Sequence, residues 1–350
     1  MKQSRPEILA PVGNGAMFEA ALAAGADVIY AASKSFGARA YASNFSNEEL
    51  EKLIHRAHWN GIKVYITFNT LVKEDELDEA IDQIDALVAM RCDALIVQDM
   101  GIIRLLQDRH PDLPIHGSTQ LSVTSLEGAR YLEKLGLSRI VLGREVTIEE
   151  ATRIKASTKL EVEVFVHGSL CVSVSGQCLM SSFAGGRSGN RGRCAQPCRK
   201  TYELKDGQGK LIAKDNTYLS PRDLQTISFI DRYHEIGLDC FKIEGRMKKP
   251  EYVYSAVTSY RQALDKENVD LLALQLVSNR PFTKGLSFHD FGVDYAFKED
   301  EKSGKIIGQV VKHGRGFALP LEEEIVKGDI IHIKSKKHYF PLTATEDHNS

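Results

Sequence analysis

Apolar residues recur along the first 265 positions of the chain in two alternating patterns. Short apolar runs predict buried β-strands, and the longer stretches between them carry apolar residues at helical spacing. The predicted strands are Glu7–Val12, Asp27–Ala32, Lys63–Phe68, Ala94–Gln98, Pro114–Gly117, Arg139–Leu142, Glu161–Val166 and Cys240–Ile243. The predicted helices are Ala16–Ala24, Asn47–Trp59, Glu74–Met90, Gly101–Asp108, Ser122–Leu135, Ile148–Lys155, Pro221–Ile236 and Pro250–Asp265. Ser46, followed by Glu49, predicts a capping box at the start of the second helix.

Strand-then-helix units repeated eight times predict a parallel sheet. The right-handed crossover rule then leaves two main outcomes, a closed barrel and a doubly wound sheet. Eight units over roughly 260 residues match the usual size of a closed barrel. The glycine fingerprint of a doubly wound sheet fails, because Phe18 stands where the last glycine after Gly13 and Gly15 is required. We therefore predict an α/β protein with a (β/α)8 TIM-like barrel over residues 1–275.

The pattern changes beyond residue 275. Asn279–Gly285 is rich in turn residues, and Lys305–Lys312, Gly316–Leu321 and Asp329–Lys334 alternate like short strands. These features predict a linker and a small C-terminal β-barrel module over residues 276–350. The polar tail Thr343–Ser350 ends abruptly, so we expect the module either to be truncated or to fray there.

Composition restricts the class of protein. Hydrophobic residues make up 43% and charged residues 26%, as in an ordinary globular protein. The net charge of −2 creates no global field that would attract nucleic acid or a membrane, so any anion-binding surface must be local. No apolar stretch resembles a signal peptide or a membrane span. We expect a cytoplasmic protein, in which the six cysteines are free thiols or metal ligands rather than disulfides.

One long loop, residues 168–220, interrupts the alternation after the seventh predicted strand and holds Cys171, Cys178, Cys194 and Cys198. Loops of this length are usually functional, and barrel enzymes place their chemistry at this face. Wide, uneven cysteine spacing with glycine-rich connections is typical of an iron–sulfur cluster, whereas a zinc ribbon shows two tight C-x-x-C pairs. Zinc is an alternative, as is a role as buried small hydrophobic residues, which we expect for Cys92.

The same loop is basic, with no acidic residue between Ser181 and Lys200. Arginines can make bidentate contacts to phosphate or carboxylate groups. The simpler interpretation of this run of basic residues is an ordinary solvated surface loop. The candidate substrate-binding residues, for RNA or a small polyanion, are Arg187, Arg191, Arg193, Arg199 and Arg222. The chain lacks an H-E-x-x-H motif, a G-x-S-x-G elbow and a P-loop, so no standard hydrolase site is indicated.

Around these cysteines the chain resembles peptidase family U32, the collagenase-like proteases. The family signature is met at Glu163, Phe165, Gly168, Ser169, Cys171, Gly176, Cys178 and Ser181. Further similar stretches are Pro6–Pro11, Gly25–Asp27, Asn44–Phe45, Ser220–Leu224, Lys242–Arg246 and Asn279–Arg280. The resemblance covers residues 6 to 335.

The resemblance implies cluster-dependent hydroxylation more than proteolysis. Family members act on the wobble uridine of tRNA with prephenate as the oxygen source, on a cytidine of rRNA, or on the ubiquinone ring. In the ubiquinone branch, cysteines matching Cys171, Cys178, Cys194 and Cys240 bind a 4Fe-4S cluster, and a second pattern uses the pair matching Cys194 and Cys198. We expect the first set to hold the cluster here, with Cys198 as an alternative ligand.

The leading hypothesis is an enzyme, or a subunit that works with a homologous U32 partner, that hydroxylates a nucleobase in tRNA. His167, Glu244 and Arg246 stand at predicted strand ends near the cluster and are the catalytic candidates. Strand position alone adds Glu145, Gln98 and Asn69 as residues of the barrel mouth.

Two alternatives stay open at the level of the sequence. A true peptidase acting on a peptide substrate would use Cys171 or Ser169 as nucleophile near His167. A non-catalytic cluster carrier or scaffold would need no substrate site at all.

Overall fold

The computed structural model describes residues 5–39, 42–278, 280–296, 307–314, 316–321, 324–334 and 339–348. Two compact units divide the chain, Met1–Ser303 and Gly304–Ser350. In chain order, the strands of the first unit are β1 (Glu7–Pro11), β2 (Val28–Ala31), β3 (Lys63–Phe68), β4 (Ala94–Val97), β5 (Ile115–Gly117), β6 (Arg139–Val141), β7 (Glu161–Ser169), β8 (Tyr202–Lys205), β9 (Leu211–Asn216), β10 (Asp223–Gln225), β11 (Cys240–Ile243) and β12 (Phe282–Thr283).

Strands β1 to β7 and β11 form a closed parallel barrel. Each of β1 to β6 pairs with the next strand along the chain, and β11 pairs with both β1 and β7, which closes the ring. The predicted (β/α)8 TIM-like barrel and its eight predicted strands are confirmed.

Helices alternate with the barrel strands. They are α1 (Gly15–Ala23), α2 (Asn47–Trp59), α3 (Leu77–Ala89), α4 (Met100–Arg109), α5 (Leu126–Lys134), α6 (Ile148–Ser157), α7 (Met180–Gly185), α8 (Ile230–Glu235), α9 (Pro250–Leu264) and α10 (Leu271–Leu276). The capping box of α2 is present: Ser46 Oγ accepts the Glu49 N–H at 3.3 Å, and the Glu49 carboxylate accepts the Ser46 N–H at 2.7 Å. None of the helices in the described ranges combines the length and apolar character that a membrane crossing requires.

Two predicted helices are wrong in part. The helix predicted at Ser122–Leu135 begins only at Leu126, because Ser125 caps it by accepting the Gly128 N–H. The helix predicted at Pro221–Ile236 begins only at Ile230, because Asp223–Gln225 form β10. Strand β7 extends past the barrel, and its last residues offer a free edge that β10 occupies in antiparallel register.

This pairing fixes both ends of the cysteine-rich loop. The chain leaves the barrel at Ser169 and returns opposite it at Asp223, so both ends lie at the carboxyl face of the barrel. Strand β12 then pairs with β10. The segment after residue 275, predicted to be a linker, therefore contributes a strand to the sheet of the first unit; Asn279 lies outside the described residues.

Alternation along the strands separates two apolar regions. Outward-facing residues pack against the helices in the main core. A second cluster fills the barrel interior and comprises Leu9, Val28, Tyr30, Tyr65, Ala94, Ile96 and Cys240. Charged pairs lie beside this cluster: Glu163 is fully buried, 2.8 Å from Lys242 and 3.6 Å from Arg139.

The second unit, taken by itself, contains β13 (Val311–His313), β14 (Gly316–Ala318), β15 (Ile330–Lys334) and β16 (Tyr339–Thr343). Strands β13 and β14 form one antiparallel pair, and β15 and β16 form another. The small β module predicted at the C-terminus is thus present as antiparallel sheets. Of the predicted strand Lys305–Lys312, Lys305 and Ile306 lie outside the described residues.

Candidate active site

The cysteine-rich loop brings Cys171, Cys178, Cys194 and Cys198 together. Burial raises the pKa of the Cys198 thiol, Arg199 opposes the rise, and the thiols of Cys171, Cys194 and Cys178 are near enough to add to it. A Cβ atom at Gly189 would lie 3.7 Å from Cys194 Cβ and 3.8 Å from the Cys178 carbonyl oxygen. Four thiols of one loop therefore share one small region.

The signature glycine and serine residues give the loop its shape. Gly176 has φ +77°, and a Cβ there would lie 2.4 Å from the Gln120 carbonyl oxygen, so only glycine lets the turn between Cys171 and Cys178 rest on that backbone. Ser181 is buried, and its hydroxyl accepts the Ala195 N–H at 2.9 Å. That bond joins the segment holding Cys178 to the segment holding Cys194.

Three of the predicted substrate-binding arginines make contacts that hold the loop in place. Arg191 pairs with both carboxylate oxygens of Glu76 and donates to the Leu71 carbonyl at 2.8 Å. Arg199 donates to the carbonyls of Leu170 and Pro221 and to Ser220 Oγ. Arg222 Nε donates to the Ala296 carbonyl at 3.2 Å. Of the remaining two, Arg187 is half-buried and Arg193 is exposed.

The barrel mouth is centred on Glu244, which follows β11. Arg39 Nη2 donates to Glu244 Oε1 at 2.8 Å, and the Tyr30 hydroxyl lies 3.2 Å from Glu244 Oε2. Burial alone would raise the pKa of Glu244, but the guanidinium groups of Arg39, Arg144 and Arg246 lower it to about 2. Glu244 is thus a fixed negative charge at neutral pH.

Arg246, predicted from strand position, lies in the mouth beside Glu244. Its Nη1 donates to Thr67 Oγ1 at 3.1 Å, and its guanidinium carbon lies 5.8 Å from the centre of the Tyr30 ring. Burial lowers its pKa to about 10, so it stays charged at neutral pH. Three guanidinium groups, those of Arg39, Arg144 and Arg246, therefore face the single carboxylate of Glu244. This excess of positive charge suits a dianion carrying carboxylates.

Arg39 joins the mouth to the cysteines. Glu244 is the largest cause of the raised pKa of Arg39, and the Cys194 thiol is close enough to contribute. The Cys194 thiol therefore lies close to the charged mouth. The sequence analysis did not predict Arg39 or Arg144 as site residues. Each is a basic residue that follows a predicted barrel strand, and this position was the pattern from which they could have been predicted.

The structure does not bring Cys240 to the loop. Cys240 pairs with Glu7 and Glu163 in the barrel walls and is fully buried in the interior cluster, where burial and Glu163 raise its pKa. The loop begins after Ser169, six residues further along β7 than Glu163. At about 3.3 Å per residue this is about 20 Å along the strand.

Cys171, Cys178, Cys194 and Cys198 are the candidate metal ligands of this region, and Arg199 lies near Cys198 and Cys171. A zinc site needs its four ligands around one ion, whereas in a four-iron cluster each thiolate binds a different iron. Within the described ranges, no group of three or more His, Cys, Asp or Glu side chains is arranged to hold a single metal ion.

His167, a catalytic candidate, does not face the mouth. Its ring packs against those of Tyr252, Tyr260 and Phe282 at centroid distances of 5.6, 5.6 and 5.5 Å. Neither ring nitrogen has a hydrogen-bond partner among the described residues. Burial lowers its pKa to about 4, against the opposing effect of Asp223. The nucleophile–histidine pair of the peptidase alternative is not assembled at this residue.

The three further mouth candidates have different environments. The Glu145 carboxylate accepts the Ser175 hydroxyl at 2.8 Å and so fastens the loop. Asn69 accepts the Ala38 N–H at 3.0 Å and donates to Ser118 Oγ at 3.2 Å. Gln98 is buried, and its Oε1 has no partner within the described part of the chain.

The fold and this site define a (β/α)8-barrel protein with a cysteine-rich centre at the carboxyl face of the barrel. The sequence profile described as Peptidase family U32 matches residues 13–293. The chain belongs to this family.

Two of the following relatives are named for RNA modification and one is named as a protease. The chain is 35% identical to the 23S rRNA 5-hydroxycytidine synthase of Escherichia coli, over 95% of this chain and 53% of the relative. It is 35% identical to a protein of Methanocaldococcus jannaschii named as an uncharacterized protease, over 94% of this chain and 87% of the relative. It is 34% identical to tRNA hydroxylation protein P1 of Bacillus subtilis, over 75% of this chain and 63% of the relative. The chain thus spans about half the length of the first of these relatives.

Proposed function

We propose that this protein is an iron–sulfur-dependent enzyme that hydroxylates a pyrimidine base in RNA, with the wobble uridine of tRNA as its substrate. The observation that carries the proposal is that the loop holding four thiols approaches the charged mouth formed by Arg39, Glu244 and Arg246, with the Cys194 thiol near Arg39. Relatives named for hydroxylation of rRNA and tRNA support the reaction class. RNA as the substrate also agrees with the expected cytoplasmic location.

We assign the 4Fe-4S cluster to Cys171, Cys178, Cys194 and Cys198. This set replaces the one containing Cys240, which lies in the barrel interior. A cluster held by these residues would supply one-electron transfer. Arg199 lies near Cys198 and Cys171 and offsets negative charge on the thiolates.

The mouth suits the oxygen donor. Prephenate carries two carboxylates, and Arg39, Arg144 and Arg246 supply guanidinium groups that bind carboxylates in a bidentate manner. Glu244 acts as a positioning residue, because its ionised carboxylate holds Arg39 in place at 2.8 Å. Arg246 is held by Thr67 and carries its charge within a buried environment, where a guanidinium group interacts most strongly with an anion.

The test is nucleoside mass spectrometry of tRNA and rRNA from a strain lacking the gene, complemented with the wild type or with Arg246→Ala. We expect one 5-hydroxypyrimidine to disappear from tRNA, to return with the wild type and to stay absent with the variant. Loss from rRNA alone would reassign the substrate to rRNA, which the longer match to the rRNA enzyme favours as the alternative. Unchanged tRNA and rRNA would refute the proposal.

Peptidase activity is the second candidate, supported by the name of the archaeal relative. A peptidase assay on cluster-free protein separates the two, because sustained cleavage without iron would favour proteolysis. A non-catalytic cluster carrier acting with a homologous partner subunit predicts that the purified chain alone modifies no RNA, even with prephenate and a reductant present.

A further inference from the structure

Helix α7 presents uncovered apolar side chains on the loop that carries the cysteines. Phe183 is 87% exposed, and Leu179, four residues earlier, is 53% exposed. Residues four apart on a helix share a face, so these two form one strip, while Ser181 is buried on the opposite side. Val172 and Val174 of the same loop are also exposed, so the loop presents several uncovered apolar side chains.

Cations without acidic neighbours in the sequence follow this strip. No acidic residue occurs between Ser181 and Lys200. Arg193 and Lys200 are both exposed, and the guanidinium group of Arg193 has no ion pair or hydrogen bond within the described ranges. Arg191 and Arg199, by contrast, are held by the protein itself. The loop therefore combines an exposed aromatic face with free positive charge.

An exposed aromatic ring on a loop with free cations is a combination that binds single-stranded nucleic acid, because bases stack on the ring while cations contact the phosphates. Glu76, which contacts this loop, is paired with Arg191. The strip also lies between two of the assigned cluster ligands, since Cys178 precedes Leu179 and Cys194 follows Arg193. A base held there stands beside the proposed reaction centre.

We propose that Phe183 is the stacking platform for an unpaired base of the RNA substrate, with Arg193 and Lys200 contacting the flanking phosphates. The inference rests on the proposed RNA-hydroxylating function and deepens it, because it requires the substrate to be presented as an unpaired segment and not as a duplex.

Trp59 offers a matched control. It is 91% exposed and lies near Lys52 and Arg56, with Glu51 in the same group, so it too is an exposed aromatic ring beside cations. However, α2 runs from the carboxyl end of β2 back towards the start of β3, which places Trp59 at the amino face of the barrel, away from the cysteines.

The experiment measures fluorescence anisotropy of a labelled anticodon stem–loop RNA, and of a blunt RNA duplex, against the full chain purified anaerobically with its cluster. We expect Phe183→Ala to weaken stem–loop binding about tenfold, as the loss of one stacked base does. Phe183→Trp should bind like the wild type, and Trp59→Ala should have no effect. Arg193→Ala should reduce the salt dependence of binding by about one phosphate contact. Iron content is measured for every variant.

Wild-type affinity in iron-loaded Phe183→Ala would overturn the platform while leaving the RNA function intact. Equal weakening for stem–loop and duplex would also overturn it, because stacking requires an unpaired base. If Phe183→Ala alters self-association of the protein and leaves RNA binding unchanged, the strip is a protein–protein contact. Failure of the wild type to bind either RNA would instead count against the proposed function.

Discussion

Arg39 and Glu244 are 205 residues apart in sequence, yet Arg39 Nη2 lies 2.8 Å from Glu244 Oε1 at the barrel mouth. The pair ties the loop after β2 to the end of β11, the strand that closes the barrel. It also orders one of the three guanidinium groups that we assign to the anionic co-substrate. Its effect on the pKa of Glu244 makes it accessible to measurement.

Glu244→Gln should change how the protein responds to acid. The pKa of Glu244 is lowered from 4.5 to about 2, so the carboxylate contributes stability above pH 4.5 that is lost as the pH falls towards 2. Thermal unfolding at pH 7 and pH 3 should show a larger loss for the wild type than for the variant, by a few kcal/mol. Glu19→Gln, which removes an exposed pair with Arg56, is the control. Parallel curves for the wild type and Glu244→Gln would contradict the assignment.

The assigned ligand set predicts opposite results for two cysteines. Cys198→Ser should abolish the visible absorbance and most of the iron of anaerobically purified protein, because it removes a cluster ligand. Cys240→Ala should keep the visible absorbance and the iron, and should lose only about 1 kcal/mol of stability, because the thiol packs inside the barrel. Cys92→Ala, another buried thiol, is the matched control. Iron loss in Cys240→Ala with a full complement in Cys198→Ser would restore the ligand set expected from the sequence.

The barrel could be predicted from the sequence because each buried strand is a short apolar run bounded by polar residues. The loop cysteines could be predicted as a group because their spacing is local. Cys240 is the first residue of the predicted strand Cys240–Ile243, so the sequence already placed it far from the carboxyl face, and only the family resemblance assigned it to the cluster. His167 could not be placed, because position on a strand does not reveal which way a side chain faces. The register between β7 and β11 shifts at Lys242 and Ile243, beside His167, and no local pattern signals this irregularity. Arg39 and Arg144 could not be singled out from the sequence, because they lie in loops without a motif.

His167→Phe tests whether His167 is structural. The pKa of His167 falls from 6.5 to about 4 on folding, so the unfolded chain binds more protons between these values and stability decreases as the pH falls. Between pH 6.5 and pH 4 the wild type should lose about 1.4 kcal/mol per pH unit that the variant retains. His55→Gln, at an exposed position, should leave the slope unchanged. RNA hydroxylation should persist in His167→Phe, and its loss in a folded, iron-loaded variant would return His167 to the catalytic group.

Gly176→Ala should detach the cysteine loop from the barrel without unfolding the barrel. The added Cβ would lie 2.4 Å from the Gln120 carbonyl oxygen and 2.9 Å from Ser122 Oγ, so the turn between Cys171 and Cys178 must move. Gly186→Ala is the matched control: Gly186 also has positive φ, +64°, in the same loop, but its Cβ would meet no atom within 4 Å. The control bears only the backbone cost of about 1 kcal/mol, whereas Gly176→Ala bears this cost and a steric clash.

The measurement is iron per chain after anaerobic purification, with far-ultraviolet circular dichroism to confirm that the barrel is intact. We expect Gly176→Ala to lose most of its iron and Gly186→Ala to keep it. Equal iron in the two variants would mean that contact with Gln120 does not set the positions of the thiols. Because the four cysteines are supplied by one loop, their arrangement depends on where that loop rests, and Gly176 marks the point at which it rests on the barrel.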